Sequence, residues 1–274
     1  MPIEISAPIT HVSQDEFHAI ERTMLGHAFA IHNEFGGLLD ETIYKTELAE
    51  RCLKHGFDVN REVLIRVRHR GFTKDYFIDL LLCGSTIVEA KTAKVLTEAH
   101  HGQGINYLLL SGTHHGSLVN FRPVRVQREF LSTQLTYAIR TQFEIETIAW
   151  PRDDEHTLLR DVATAFCTDV GIGLDIALYR EAFASLLGIK GRDLVSIVSG
   201  GRKLGHHEMY LLNPNVGLAV TALADPKDYR THLQRLVSMT SLRSMAWINL
   251  RIGRMECIHL ERQNHDVSSE GSFP

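Results

Sequence analysis

Three side chains in the stretch KDYFIDLLLCGSTIVEAKTAKVLTEAHHGQGINY, residues 74–107, have types and spacing suited to chemistry: Asp79, then Glu89, then Lys91. Side chains on a strand alternate faces, so Glu89 and Lys91 project on one side while Val88 and Ala90 project on the other. A tight turn at Cys83-Gly84-Ser85 folds the segment into a hairpin that brings Asp79 beside Glu89. Two adjacent carboxylates repel each other unless a cation sits between them, and a hard divalent ion such as Mg²⁺ suits their oxygens. The pattern D-(x)9-E-x-K is therefore a candidate metal site with a neighbouring ammonium. Triplets of this kind also arise on solvated hairpin edges. Three further features favour chemistry here. Glu41 lies on the preceding helix as a helical neighbour of Tyr44, Gln103 and Tyr107 stand at i, i+4 on the following helix, and Lys91 interrupts an otherwise apolar strand. Tyr44 itself is expected to pack in the core.

The elements that must position these residues are legible from periodicity. Ser13, followed by Asp15 and Glu16, is a helix start, and Phe17, Ile20, Met24, Ala28 and Ile31 recur at three and four up to Phe35-Gly36-Gly37. A second helix is expected over residues 38–55, with Ile43, Leu48, Cys52 and Leu53 on one side and Gly56 as its stop. From Asp58 to Arg70 the period changes to two, Val63, Ile65 and Val67 alternating with Leu64, Arg66 and Arg68. The hairpin follows, then a helix over 97–110 and strands over 117–121 and 124–128. The order is α-α-β-β-β-α-β-β. Alternation places Arg66, Arg68 and Arg70 on one face, with Arg61 and Lys74 at its ends and Arg122 and Arg125 extending it. Such a face is either a solvated charged strand or a surface for a phosphate backbone.

Composition sets outer bounds. The chain has 274 residues, 44% of them hydrophobic, and a net charge of −4, so any nucleic-acid contact must rest on a local patch. No apolar run reaches membrane-spanning length and the N-terminus lacks a secretory pattern, which makes the cytoplasm the expected location and a membrane partner unexpected. Cys52, Cys83, Cys167 and Cys257 form no C-x-x-C pair and are expected to be free thiols. The histidine pairs 100–101 and 114–115 read as loop-flanking and 206–207 as lying in a polar turn, all without metal-binding spacing.

The second half reads as a worn copy of the first. Gly36, Asp40 and Tyr44 fall on Gly171, Asp175 and Tyr179 at an offset of 135 (179 − 44), and SGTHHGSLVNF resembles TSLRSMAWINL at an offset of 129 (240 − 111). On a running offset IVEAKT falls on AVTALA, so Glu89 meets Thr221, Lys91 meets Leu223 and Glu41 meets Ile176, while Gln103 and Tyr107 meet His232 and Leu236. The expected division is residues 1–132 as the domain bearing the acids and 133–274 as a degenerate repeat without a metal site, with a charged linker near Pro151–Glu155 and the two packed as an internal pseudo-dimer.

The ordered set Glu41, Asp79, Glu89-x-Lys91, Gln103-x-x-x-Tyr107 resembles the PD-(D/E)xK nuclease superfamily. Within it, FGGLLDETIYKTELA resembles the motif of the GxxExxY proteins, and the likeness covers about residues 15–130. Two departures stand out. The paired glycines Gly36 and Gly37 put the glycine-to-glutamate spacing one residue off, and Ile78 replaces the proline before Asp79. The resemblance implies a restriction-endonuclease-like α/β fold with an α-β-β-β-α-β core. In it Asp79, Glu89 and Glu41 would serve Mg²⁺ or Mn²⁺ and Lys91 would orient the attacking water. Gln103 and Tyr107, with Arg66, Arg68 and Arg70, would hold substrate phosphate. The implied activity is that of a metal-dependent nuclease, a hydrolase of phosphodiester bonds acting on DNA. The alternative is a non-catalytic nucleic-acid- or protein-binding module on the same fold.

Overall fold

The structure, a computed structural model, describes residues 2–262. Its first helix, α1 (Gln14–Phe35), starts where the sequence says it should. Ser13 caps it, and the Glu16 side chain reaches back to the cap backbone in a reciprocal capping box. Phe17, Met24, Ala28 and Ile31 are fully buried along one stripe. The helix stops at Gly36, whose φ of 70° is a left-handed conformation that glycine adopts without strain. Gly37 is required for a different reason, since a Cβ there would lie 2.7 Å from the Arg122 carbonyl oxygen and 2.8 Å from that of Phe121. The next helix, α2 (Glu41–Lys54), therefore begins at Glu41, three residues later than the periodicity predicts.

Tyr44 fixes the turn between these helices. Its hydroxyl donates to the Gly36 carbonyl at 2.6 Å and accepts from the Leu39 N–H at 3.1 Å, while its ring stacks on Phe121 at 4.5 Å. The expected core role of Tyr44 is thus accompanied by a polar one, holding Glu41 at the start of α2.

Among the described residues the chain forms two six-stranded sheets and seven helices, a mixed α/β architecture. It divides into two compact units, Met1–Thr141 with Asp169–Leu178, and Gln142–Thr168 with the residues from Tyr179 on. In the first unit the strands are β1 (Ile3–Ile5), β2 (Val59–His69), β3 (Phe72–Leu82), β4 (Thr86–Lys91), β5 (His115–Asn120) and β6 (Gln127–Ser132), in that spatial order. The helix α3 (Glu98–Ser111) connects β4 to β5, which run parallel, whereas the other neighbours are antiparallel. The closing strand β6 lies three residues beyond the predicted 124–128, and β1 has no sequence forecast. Leu80, Leu82, Val88, Ala90, Val119 and Phe121 of the sheet pack with Met24, Ile31, Tyr44 and Leu48 of α1 and α2 in one core. Burial of each large side chain contributes about 1.5–3 kcal/mol.

The second unit contains β7 (Glu144–Ile148), most of α5 (Asp154–Val170) and of α6 (Ile176–Leu186), β8 (Asp193–Ser199), β9 (Arg202–Asn213), β10 (Val216–Thr221), α7 (Lys227–Ser238), β11 (Ser244–Arg251) and β12 (Arg254–Glu261), preceded by the one-turn helix α4 (Tyr137–Arg140) of the first unit. The segment taken as a linker contributes the first residues of α5, and His206-His207 lie within β9, not in a turn. Strands β8 to β12 repeat the pairing senses of β2 to β6, with α7 at the parallel crossover. The sixth strands differ, since β1 extends one sheet beside β2 and β7 extends the other beside β12.

Strand register matches positions in the two sheets differently from the running offset. Lys91 pairs with Asn120 across β4 and β5, and Thr221 pairs with Asn249 across β10 and β11. Asn120 braces the N–H and C=O of Ala93 with its amide, as Asn249 does for Leu223. Lys91 therefore corresponds to Thr221 and Glu89 to Ala219, two residues earlier than the running offset has them. Leu80 opposite Val88 and Tyr210 opposite Leu218 likewise set Asp79 against Met209.

Candidate active site

The β3–β4 ladder runs from Leu82 opposite Thr86 to Leu80 opposite Val88. Beyond it, side chains replace the backbone ladder. The Asp79 N–H donates to Glu89 Oε1 at 3.0 Å, and the Ala90 N–H donates to Asp79 Oδ2 at 3.0 Å. Each acid thus braces the other strand and uses one carboxylate oxygen to do so. Both are buried, Glu89 to 1% exposure and Asp79 to 8%.

The remaining oxygens meet ammonium groups. Lys91 Nζ donates to Glu89 Oε2 at 3.2 Å and lies 4.0 Å from Asp79 Oδ2. Lys45 Nζ, from α2, donates to Asp79 Oδ1 at 2.9 Å and to Glu62 Oε1 on β2 at 2.9 Å. Sequence reasoning missed Lys45 and Glu62. Lys45 carries one legible signal, its place four residues after Glu41 on the same helical face. Glu62 carries none, and its φ of 48° is a left-handed conformation that only the fold imposes.

Burial, and then the charge of Asp79, push the Glu89 carboxyl up to about 8, against the opposing pull of Lys91. Burial works against the Lys45 charge, but its hydrogen bonds to Glu62 and Asp79 outweigh that cost and raise its pKa. Burial, followed by the charge of Glu89, pushes the Tyr107 phenol up to about 12, so it remains a donor at neutral pH.

The other forecast residues lie as follows. Glu41 Oε2 accepts from the Thr92 N–H at 3.2 Å, at the end of β4 and one residue past Lys91. Gln103 donates to the Tyr107 hydroxyl at 3.0 Å, and both line a cavity wall with Tyr76 and His100. Arg66 and Arg68 share the outer face of β2, yet Arg66 is held by both oxygens of Asp75 at 2.6 Å and Arg68 by Glu4 at 3.4 Å. Arg70 sits in the turn after β2 with φ 51°. The cationic face is thereby largely neutralised by acids of the same sheet.

Among the described residues no three His, Cys, Asp or Glu side chains converge as a metal cluster. The donor chemistry of the acid pair nevertheless fits a hard divalent ion. Asp79 Oδ1 and Glu89 Oε2 are carboxylate oxygens not bonded to a backbone N–H, and the repulsion from Asp79, which after burial raises Glu89, is what a cation relieves. The two lysine ammoniums stand on those oxygens. No helix is long and apolar enough to cross a membrane among the described residues.

No curated protein and no solved structure matches the chain. A family model does match part of it: residues 18–131, which run from α1 into β6 and include Asp79, Glu89, Lys91 and Lys45, are similar to the PD-(D/E)XK nuclease superfamily.

Proposed function

We propose that this protein is a nuclease that hydrolyses phosphodiester bonds, in DNA, with Mg²⁺ or Mn²⁺. The observation that carries the reading is the buried Asp79–Glu89 pair with Lys91 beside it, inside a region similar to a nuclease superfamily. Asp79 and Glu89 would hold the metal, with Glu41 reaching it through water. When bound, the metal supplies Lewis acidity toward the phosphate and lowers the pKa of a water molecule. Lys91 orients the attacking water and offsets the negative charge that develops on phosphate oxygens. Tyr107, kept protonated by burial and by Glu89, donates to a phosphate oxygen with Gln103 holding its hydroxyl. The spacing around Gly37, Glu41 and Tyr44 supports placement with the GxxExxY proteins. Met209, Ala219 and Thr221 in place of Asp79, Glu89 and Lys91 support reading residues 133–274 as a degenerate copy of 1–132.

One observation favours the second reading, a binding module without catalysis. Lys45 and Lys91 already occupy the acid oxygens that face away from the backbone, so the pair is satisfied without a metal. A cleavage assay with Mg²⁺ and Mn²⁺ on labelled DNA and RNA separates the two. The parent is expected to cut, and Asp79→Ala or Lys91→Ala to cut at least 100-fold more slowly with unchanged far-UV circular dichroism. Variants that cut like the parent would sink the site assignment. Calorimetry showing no Mn²⁺ uptake at neutral pH would favour the binding module.

A further inference from the structure

In the second unit α6, β9, β10 and α7 line an open cavity of about 220 Å³. These elements correspond to α2, β3, β4 and α3, so the cavity occupies the position that the acid pair holds in the first unit. The acids are gone, but the cation is not. Arg180 follows Tyr179 as Lys45 follows Tyr44, and its Nε donates to the Val220 carbonyl at 3.0 Å, Val220 being the counterpart of Ala90. That bond aligns the guanidinium, and among the described residues its terminal amino groups make no further hydrogen bond.

Arg192 also borders the cavity, its guanidinium 5.5 Å over the Tyr210 ring. Among the described residues neither arginine pairs with a carboxylate, whereas Arg51, Arg66, Arg128 and Arg251 each rest on one. The lining includes Tyr229, whose phenol burial pushes up and Arg180 draws back. Its hydroxyl is a donor at neutral pH. Glu208 is the one acid on the lining, and it is exposed, so two guanidinium groups leave the cavity positive. Thr221, at the position of Lys91, is turned to internal use: its hydroxyl donates to Asn249 at 2.7 Å and accepts from the Trp247 indole at 2.8 Å. Nothing in this arrangement suits a cation.

We propose that the cavity of the second unit binds a phosphate group of a nucleic-acid strand, held by Arg180 and Arg192 with the Tyr229 hydroxyl. A planar guanidinium matches phosphate oxygens in pairs, which an ammonium does not. The volume lies below the roughly 300–1,000 Å³ of pockets for drug-sized ligands, and suits a phosphate and its sugar. This assignment rests on the nucleic-acid substrate of the proposed function, and it gives the second unit a holding role while the first unit cuts.

The test uses the full chain in EDTA, so that cleavage does not intervene. Inorganic phosphate is titrated first, by calorimetry and by thermal unfolding, against the parent, Arg192→Ala and Arg180→Lys. Arg192 is exposed, and the lysine at 180 keeps charge while losing the fork, so both variants are expected to fold. Phosphate should raise the melting temperature of the parent and bind each variant at least fivefold more weakly. Fluorescence anisotropy with labelled single-stranded DNA and RNA follows. Each variant should weaken binding about tenfold and make the salt dependence shallower by about 0.7 in slope per lost phosphate contact. Variants that bind phosphate and nucleic acid as the parent does would overturn the proposal, and leave the nuclease reading intact if the parent still cuts with Mg²⁺. A parent that neither binds nor cuts nucleic acid, yet takes up phosphate through these arginines, would overturn the strand as the source and with it the nuclease reading.

Discussion

At the scale of single residues, the acid pair is a site in balance. Asp79 and Glu89 each spend one oxygen on the other strand's backbone and one on a lysine. A metal must therefore displace ammonium groups, and Lys45 has somewhere to go because Glu62 already shares it at 2.9 Å. Lys45→Met should bind Mn²⁺ about tenfold more tightly, worth ~1.4 kcal/mol, because a unit charge leaves the neighbourhood of Asp79. Glu62→Gln should weaken Mn²⁺ severalfold in the parent and have little effect once Lys45 is Met. Calorimetry on the four proteins of this cycle decides the matter, and an effect of Glu62→Gln undiminished in the Lys45→Met background would refute the displacement. Glu89 brings a pH dependence. Its folded pKa of about 8 lies above the ordinary 4.5, so the folded state holds an extra proton between those values. Stability of the metal-free protein thus falls as pH rises through that window. Urea unfolding in EDTA at pH 5 and pH 8 should show the loss in the parent and a flatter profile in Glu89→Gln.

At the scale of elements, the turn between α1 and α2 decides where Glu41 stands. Gly37 lets the turn approach the backbone of Phe121 and Arg122, and the Tyr44 hydroxyl ties Gly36 to Leu39. Glycine and tyrosine are thus structural parts of the motif, whereas Glu41 at the first position of α2 reaches the end of β4. Tyr44→Phe keeps the stacking on Phe121 but removes the hydroxyl that bonds the Gly36 carbonyl and the half-buried Leu39 N–H. It should cost about 0.5–1.5 kcal/mol in chemical denaturation, and loosen Glu41 enough to lower cleavage with unchanged metal stoichiometry. A variant as stable as the parent would show that the ring alone holds the turn.

At the scale of the whole molecule, two units that share the order of five strands have opposite polar centres. The first holds two acids and two lysines, and the second holds two arginines and a buried Thr221–Asn249–Trp247 network. The second centre serves to hold its own sheet together. Asn249 bonds the Leu223 backbone twice, Thr221, and Glu256 at 2.7 Å. Asn249→Ala should cost about 2–3 kcal/mol in unfolding of the second unit, as a lost buried amide leaves several partners unmet, with Mn²⁺ affinity at the Asp79–Glu89 pair unchanged. Tighter or weaker Mn²⁺ binding in that variant would mean that the two centres are coupled.

The sequence by itself determined what depends on neighbours in the chain. Periods of 3.6 and 2 gave the order of helices and strands from α1 to β6, and a hairpin of known turn put Asp79 beside Glu89 and Lys91. What depends on distant segments only the tertiary structure decided. Lys45 meets Asp79 from 34 positions away in the chain, and a lysine on a helix announces no partner on a strand. Arg66 looked free for a phosphate until pairing of β2 with β3 set Asp75 opposite it. The two-residue error in aligning Glu89 with the second unit has the same origin. Similarity of apolar residues tolerates a slip between copies, whereas the ladder between β10 and β11 does not, because each side chain must match a partner across the sheet.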